Sequence, residues 1–203
     1  MNQGSPYFFT LRFLTPLARA VFPVRYSGTE NIPESGKLIV CSNHKSVFDP
    51  LLLAMPFRRQ IRYMAKQELF TDHGPAASWF FKTMGAFPVK RNTADCFAVR
   101  TADEILEGGG VVGIFPQGGC VFGNEPFRPK PGVALLAART GAPVLPAAIC
   151  CDGVLRPFRR ICVRFGRAIA SEDLPIHGTS VSGMRDAARK IAGEINALLE
   201  VKH

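Results

Sequence analysis

His44 and Asp49 stand five residues apart in the segment Asn43-His44-Lys45-Ser46-Val47-Phe48-Asp49-Pro50, and together they have the makings of a general base. A neutral imidazole can take a proton from an attacking hydroxyl. A carboxylate on its other ring nitrogen fixes the tautomer and stabilises the imidazolium that develops. On a continuous helix, residues five apart point about 140° away from each other. The two can therefore pair only if residues 45–48 form a loop or tight turn. Asp49-Pro50 marks where such a loop would end, because Asp is a favoured N-cap and Pro suits the first helical position. A helix is expected to begin just after the motif. Spacing alone favours an Asp49 that only caps that helix and a His44 that rests in the loop.

The elements that must hold such a loop are legible in the periodicity. Residues 24–27 and 37–42 read as short strands separated by the turn-rich stretch Asn31-Ile-Pro-Glu-Ser-Gly36. The His44 loop follows the second strand. Residues 50–55 read as helix, 61–65 as strand and 76–83 as a helix ending at Gly85. Further strands are expected over 87–90, 111–115, 143–149 and 161–165, with helices over 93–107, 132–140 and 181–201. Strand and helix alternate, which predicts an α/β fold: one domain, residues 24–203, with a mixed central β-sheet flanked by helices. The last helix carries Met184, Ala187, Ile191, Ile195, Leu198 and Leu199 at spacings of three and four, a stripe that core packing accounts for.

Ahead of that domain, Pro6 to Phe22 is apolar but interrupted by Arg12 and Arg19, which are seven apart and so fall on nearly one helical face. This is the pattern of a helix lying in a membrane interface. Residues 1–23 are expected to form an amphipathic, membrane-contacting segment, with packing across the domain's own surface as the alternative. Pro16 should kink this segment or divide it into two short helices. No run of about 18 uninterrupted apolar residues occurs, which argues against a membrane-spanning helix.

The 25 Lys plus Arg against 16 Asp plus Glu give a formal charge of +9, which favours polyanionic partners. The basic residues are scattered through mixed apolar segments and match no nucleic-acid motif, so nucleic acid is not expected as a partner. The six cysteines show no Cys-x-x-Cys spacing, which fits a reducing, cytoplasmic setting and no metal site. His73, His177 and His203 lack metal-ligand spacing as well.

The stretch from Val40-Cys-Ser-Asn-His44 to Asp49-Pro-Leu-Leu-Leu53 resembles the catalytic block of the glycerolipid acyltransferases, the lysophosphatidic acid acyltransferase type. The resemblance continues in register. Arg25-Tyr-Ser-Gly28-Thr-Glu30-Asn31-Ile-Pro33 looks like the family's strand and turn before the catalytic strand. Tyr63-Met-Ala-Lys66-Gln-Glu68-Leu-Phe70 and Gly85-Ala-Phe-Pro-Val-Lys-Arg91 look like its second block. Lys130-Pro-Gly132-Val-Ala-Leu-Leu-Ala and Gly141-Ala-Pro-Val-Leu-Pro146-Ala-Ala-Ile149 are similar to its last blocks.

The resemblance implies that His44 and Asp49 are the catalytic pair of an O-acyltransferase moving a fatty acyl group from a thioester to a lysolipid hydroxyl. It implies acceptor binding by Asn43, Lys90 and Arg91, with Arg128 and Lys130 as additions, and an acyl-donor side that includes Lys66 and Pro146. The donor would be acyl-CoA or acyl carrier protein, with no separate cofactor. The place of work would be the cytoplasmic face of the cell membrane, as a peripheral or monotopic protein whose partners are the membrane surface and its lysolipids.

One block departs from the pattern. The family usually carries Phe-Pro-Glu-Gly-Thr-Arg, and this chain has Phe115-Pro116-Gln117-Gly118-Gly119-Cys120. A thiol cannot replace a bidentate guanidinium. Gln117 can still hydrogen-bond an acceptor hydroxyl, and Gly118 and Gly119 can bring backbone donors close to a ligand. The expected consequence is a changed acceptor, 1-acylglycerol 3-phosphate or a lysolipid with a non-phosphate head group, or else a weakened, lipid-binding relative. No second histidine is placed beside Cys120 by sequence, so a nucleophilic role for it is not expected.

Overall fold

The computed structural model describes residues 5–90, 96–121, 129–151, 153, 155–176 and 181–201. The described chain runs α1 (Pro6–Val21), β1 (Val24–Ser27), β2 (Leu38–Ser42), α2 (Asp49–Ala54), β3 (Ile61–Lys66), α3 (Glu68–Thr71), α4 (Gly74–Thr83) and β4 (Phe87–Val89). It continues through α5 (Cys96–Glu107), β5 (Val111–Ile114), α6 (Gly132–Thr140), β6 (Val144–Cys151), β7 (Ile161–Phe165) and α7 (Val181–Glu200). The expected α/β architecture is present, a single mixed seven-stranded sheet in the order β1-β7-β6-β2-β5-β3-β4. Neighbouring strands are parallel except β6 and β7, which pair antiparallel with Ile149 opposite Val163.

All five residues of β2 are buried, as expected of a strand covered on both faces. The strand period of two then sorts side chains between two cores. Ile39, Cys41, Val112 and Ile114 meet α5, α6 and α7 on one face. Leu38, Val40, Val111 and Tyr63 meet α1 and α2 on the other. Because β2, β3, β4 and β5 are parallel, the residues that follow them collect at one edge of the sheet, where ligands of such sheets bind. His44, Lys66, Lys90 and Phe115 all lie there.

Pro16 does not divide α1, which is helical from Pro6 to Val21 with the proline inside it. A proline in a helix interior costs about 3 kcal/mol. Buried Tyr7, Leu11 and Phe22 anchor the helix on either side of it, at roughly 1.5–3 kcal/mol for each large apolar side chain. The tertiary anchors therefore outweigh the local penalty. Opposite them, Phe9, Phe13 and Leu17 form an exposed apolar stripe, each about two-thirds exposed. No helix among the described residues is long and apolar enough to cross a membrane.

Candidate active site

The chain leaves β2 through Asn43, which is buried and holds β6 by both ends of its amide. Its Nδ2 donates to the Ile149 carbonyl at 2.9 Å, and the Ile149 N–H donates to its Oδ1 at 2.8 Å. Asn43 was expected to touch the acceptor; in the structure its amide extends the sheet by one rung. The strand is thereby tied down at the residue before His44.

His44 Nδ1 lies 2.8 Å from Asp49 Oδ2, so the loop reading of residues 45–48 is correct. The same oxygen accepts the backbone N–H groups of Lys45 at 2.5 Å and Ser46 at 2.8 Å. Asp49 is fully buried, and its second oxygen has no partner among the described residues. One point of the local reading needs correcting. The N-cap position of α2 belongs to Phe48, and Asp49 is the first helical residue, followed by Pro50. Its carboxylate turns back into the loop instead of capping the helix, because the loop's own donors and the imidazole satisfy it there. With Nδ1 engaged by a carboxylate, the imidazole carries its proton on Nδ1 and offers Nε2 as a base.

The loop after β5 grips His44 from the other side. The His44 N–H donates to Gln117 Oε1 at 2.8 Å, and the His44 carbonyl accepts the Val121 N–H at 2.7 Å. Gln117 is thus directed at the backbone of the candidate base. The Phe115 ring stacks on the imidazole with centroids 4.2 Å apart, and Tyr63 stacks on Phe115 at 5.9 Å. Tyr63 in turn donates its hydroxyl to the Pro50 carbonyl at 2.9 Å. Burial drives its ionisation well above the ordinary tyrosine range, with Tyr7, Asp49 and Tyr26 adding to the effect, so it stays a donor. Gly113 makes room for this stack: a Cβ there would lie 2.4 Å from the Tyr63 ring. Sequence reasoning passed over Tyr63, Phe115 and Gly113. The available signal was a glycine in the middle of an otherwise apolar strand, which marks close approach by another group.

His44 opens on a cavity of about 430 Å³ whose walls are largely apolar, among them Leu14, Phe48, Leu51, Ala54, Phe80 and Met84. Lys66 stands in its lining, 3.6 Å from Glu68, and Gly118 and Gly119 close it beside the histidine. A second cavity of about 590 Å³ is lined by Lys90 and Lys130 together with Arg100 and Arg139. The two share Met64, Phe115 and Gly118. Gly118, at φ +77°, makes the turn between them, and a Cβ there would press on the Lys130 ammonium at 3.1 Å.

The expected site residues thus divide. His44, Lys66, Gly118 and Gly119 line one cavity, Asp49 and Gln117 are joined to it through their hydrogen bonds to His44, and Lys90 and Lys130 line the adjoining one. Pro146 is buried within β6, its ring close under Gly166 near Leu198 of α7, and lines neither cavity. The alternation of β6 turns it to the α7 side of the sheet. Arg91 and Arg128 lie outside the described residues. Among the described residues there is no cluster of His, Cys, Asp and Glu that could hold a metal ion.

Comparison with known proteins agrees with the fold and places the chain in a family. The family described as Acyltransferase matches residues 23–150. A 1-acyl-sn-glycerol-3-phosphate acyltransferase of Bacillus subtilis is 33% identical over 62% of this chain and 61% of its own length. The chloroplastic enzyme of that name from Arabidopsis thaliana is 28% identical over 84% of this chain and 49% of its own length. The chain thus spans about half to two-thirds of these curated relatives. The crystal structure of the 1-acyl-sn-glycerophosphate acyltransferase of Thermotoga maritima has the same fold, with a TM-score of 0.64 and 22% identity over 88% of this chain and 73% of that one.

Proposed function

The chain belongs to the Acyltransferase family, and from that premise we propose that it transfers a fatty acyl group from an acyl thioester to the hydroxyl of a lysolipid. The single observation that carries this reading is the His44–Asp49 pair at 2.8 Å, with the other face of the imidazole open to a largely apolar cavity. In the proposed step His44 Nε2 takes the proton of the acceptor hydroxyl as its oxygen attacks the thioester carbonyl. The tetrahedral intermediate collapses with cleavage of the carbon–sulfur bond, and the imidazolium returns its proton to the departing thiolate. The products are an ester and a free thiol. Asp49 holds the tautomer and offsets the charge on the imidazolium. No covalent enzyme intermediate is required, and no cofactor beyond the donor thioester takes part.

The donor's acyl chain fits the cavity beside His44, where Phe48, Leu51 and Phe80 offer hydrocarbon contact. Lys66 at its lining suits the anionic handle that coenzyme A and acyl carrier protein both present. The acceptor is 1-acylglycerol 3-phosphate or a lysolipid of another head group, since Cys120 stands where the family's arginine would be. In support of the phosphate reading, Lys90 and Lys130 line the cavity that adjoins the one containing the base.

The protein would meet these lipids from the cytoplasmic face of the cell membrane, as a peripheral or monotopic enzyme. The α1 stripe of Phe9, Phe13 and Leu17 supports this, flanked by exposed Arg12 and Arg19 that favour anionic head groups. Phe158 extends the stripe: it is 77% exposed, sits at φ 61° and donates its N–H to the Val21 carbonyl at the end of α1. Val47 and Phe48, also exposed, carry the apolar surface to the cavity mouth.

Thiol release from acyl-CoA and acyl carrier protein, measured over a panel of lysolipids, tests the proposal. Acceptor-dependent release is the expected result. Release that ignores the acceptor would make the protein a hydrolase, and no release from any donor would make it a lipid-binding relative.

A further inference from the structure

The second cavity is larger than the one beside His44 and lies on the other face of the sheet. It is set between α5 and α6, which contribute Val99, Leu135 and Leu136, and the strand ends, which contribute Met64 and Ile114. Its volume of about 590 Å³ falls inside the range of roughly 300–1,000 Å³ typical of pockets that bury a small ligand. Its apolar depth has no part in the chemistry described so far.

The charges at its lining are unequal. Arg139 is held by Asp103 through two hydrogen bonds of 2.9 and 2.6 Å, and Arg100 by Glu104 at 3.0 Å. Those two cations are largely balanced by their partners. Lys130 stands differently: its ammonium lies beside Gly118, at the junction of the two cavities and in the turn that follows Gln117. A molecule with an anion at Lys130 and a hydrocarbon tail between α5 and α6 would present the atoms next to its head group toward Phe115 and His44. Phe115 borders both spaces and covers one face of the imidazole, so it forms a partition between two tails without closing either.

Resting on the acyl-transfer reading, we infer that this second cavity receives the acceptor's own hydrocarbon chain, with its anionic head group on Lys130. Donor and acceptor chains approach His44 from opposite faces of the sheet, and each cavity selects its own chain. A negatively charged head group is served by Lys130 even though Cys120 has replaced the family's arginine.

Two chain-length ladders test this. One varies the acceptor's chain at fixed donor, the other the donor's chain at fixed acceptor, and kcat/KM is read for each. Val99→Phe fills the second cavity from a half-buried position; Leu135→Phe, more exposed, replaces it if the first variant does not fold. Either should lower kcat/KM for long-chain acceptors at least tenfold relative to short-chain ones, while the order of donor preference stays that of the wild type. Leu51→Trp, in the cavity beside His44, should do the reverse. A donor ladder that shifts in Val99→Phe, or an acceptor ladder that does not, overturns the inference.

Should the wild type prove inert with every lysolipid, the acyl-transfer reading fails and the cavity is judged by binding alone. Dodecyl phosphate should then bind the wild type and Leu51→Trp alike and Val99→Phe at least tenfold more weakly. Equal affinity in wild type and Val99→Phe would remove the site.

Discussion

The side-chain oxygen of Gln117 accepts the main-chain N–H of His44 at 2.8 Å, across 73 residues of sequence. A residue that stands where the family carries a carboxylate therefore acts on the base through its backbone. Its being an amide means that the bond is made without placing a negative charge beside the imidazole.

Replacing Gln117 separates these two consequences. Gln117→Ala leaves the His44 N–H without its acceptor, a loss of roughly 1–3 kcal/mol for a buried donor, and should lower kcat about 10- to 100-fold with little change in KM. Gln117→Glu keeps an acceptor but adds an anion, which stabilises the imidazolium. The base must be neutral to act, so an added anion that favours the imidazolium moves the acidic limb of the rate profile to higher pH. A kcat and an acidic limb untouched by either change would show that the bond positions nothing.

The catalytic pair itself should behave as a unit. His44→Ala removes the base and should lower kcat at least 10²- to 10⁴-fold without unfolding the protein. Asp49→Asn should cost about 10²- to 10⁴-fold as well, because the amide no longer stabilises the imidazolium and must set its NH₂ group against the Lys45 and Ser46 donors if it is turned the wrong way. The double variant should be scarcely worse than either single one. Activity retained by His44→Ala at even a tenth of wild type would remove the mechanism.

All three tyrosines resist ionisation, which gives the fold a defined alkaline limit. Burial pushes the Tyr7 hydroxyl up to about 12 and raises those of Tyr26 and Tyr63 as well, against the neighbouring Arg19 in the case of Tyr26. An unfolded tyrosine ionises near 10, so above that pH the unfolded chain releases protons that the native one keeps. The stabilisation is complete below about pH 10 and is lost as pH rises toward the native values. Each group contributes a slope of ~1.4 kcal/mol per pH unit, so the three together reach ~4 kcal/mol per unit. Urea midpoints taken from pH 9 to 11.5 should fall steeply only beyond 10, and Tyr26→Phe should reduce the slope by about a third. A flat dependence would contradict the burial of these hydroxyls.

How much of this was legible beforehand follows from the range of the interactions. The loop conformation of residues 45–48 was readable because a helix cannot bring positions five apart together. The ends of α6 and β7 were readable because Pro131, Gly141 and the apolar residues Ile161, Cys162, Val163 and Phe165 mark them locally. The bonds that Asn43 and Gln117 make were not legible because their partners, the Ile149 and His44 backbones, lie 106 and 73 residues away. A polar side chain next to a catalytic motif looks the same in sequence whether it faces a ligand or a strand. Pro16 misled for the converse reason: its cost is local and visible, while the burial of Tyr7, Leu11 and Phe22 that offsets it belongs to the assembled core.

The last prediction concerns a contact that carries no polar chemistry. Gly113 leaves the space in which the Tyr63 ring lies flat, and a Cβ there would sit 2.4 Å from that ring, with Ile61 Cγ2 at 2.8 Å. The ring has little freedom to yield, since its hydroxyl is tied to the Pro50 carbonyl and its other face meets Phe115. Gly113→Ala should therefore destabilise the protein by about 1–3 kcal/mol, the usual range for overpacking, and any relief must pass through Phe115 to the imidazole it covers. Displacement of a base by as little as 1 Å can cost about 10²-fold in rate, so kcat should fall at least tenfold. Tyr63→Leu alone loses the stack but keeps volume in the core. Combining it with Gly113→Ala should be less damaging to stability than the sum of the two single changes, because the shorter side chain vacates the space the new methyl group needs. Urea denaturation and kcat for the four proteins of this cycle decide the matter, and strict additivity in both would mean that Gly113 and Tyr63 do not act on His44 through one stack.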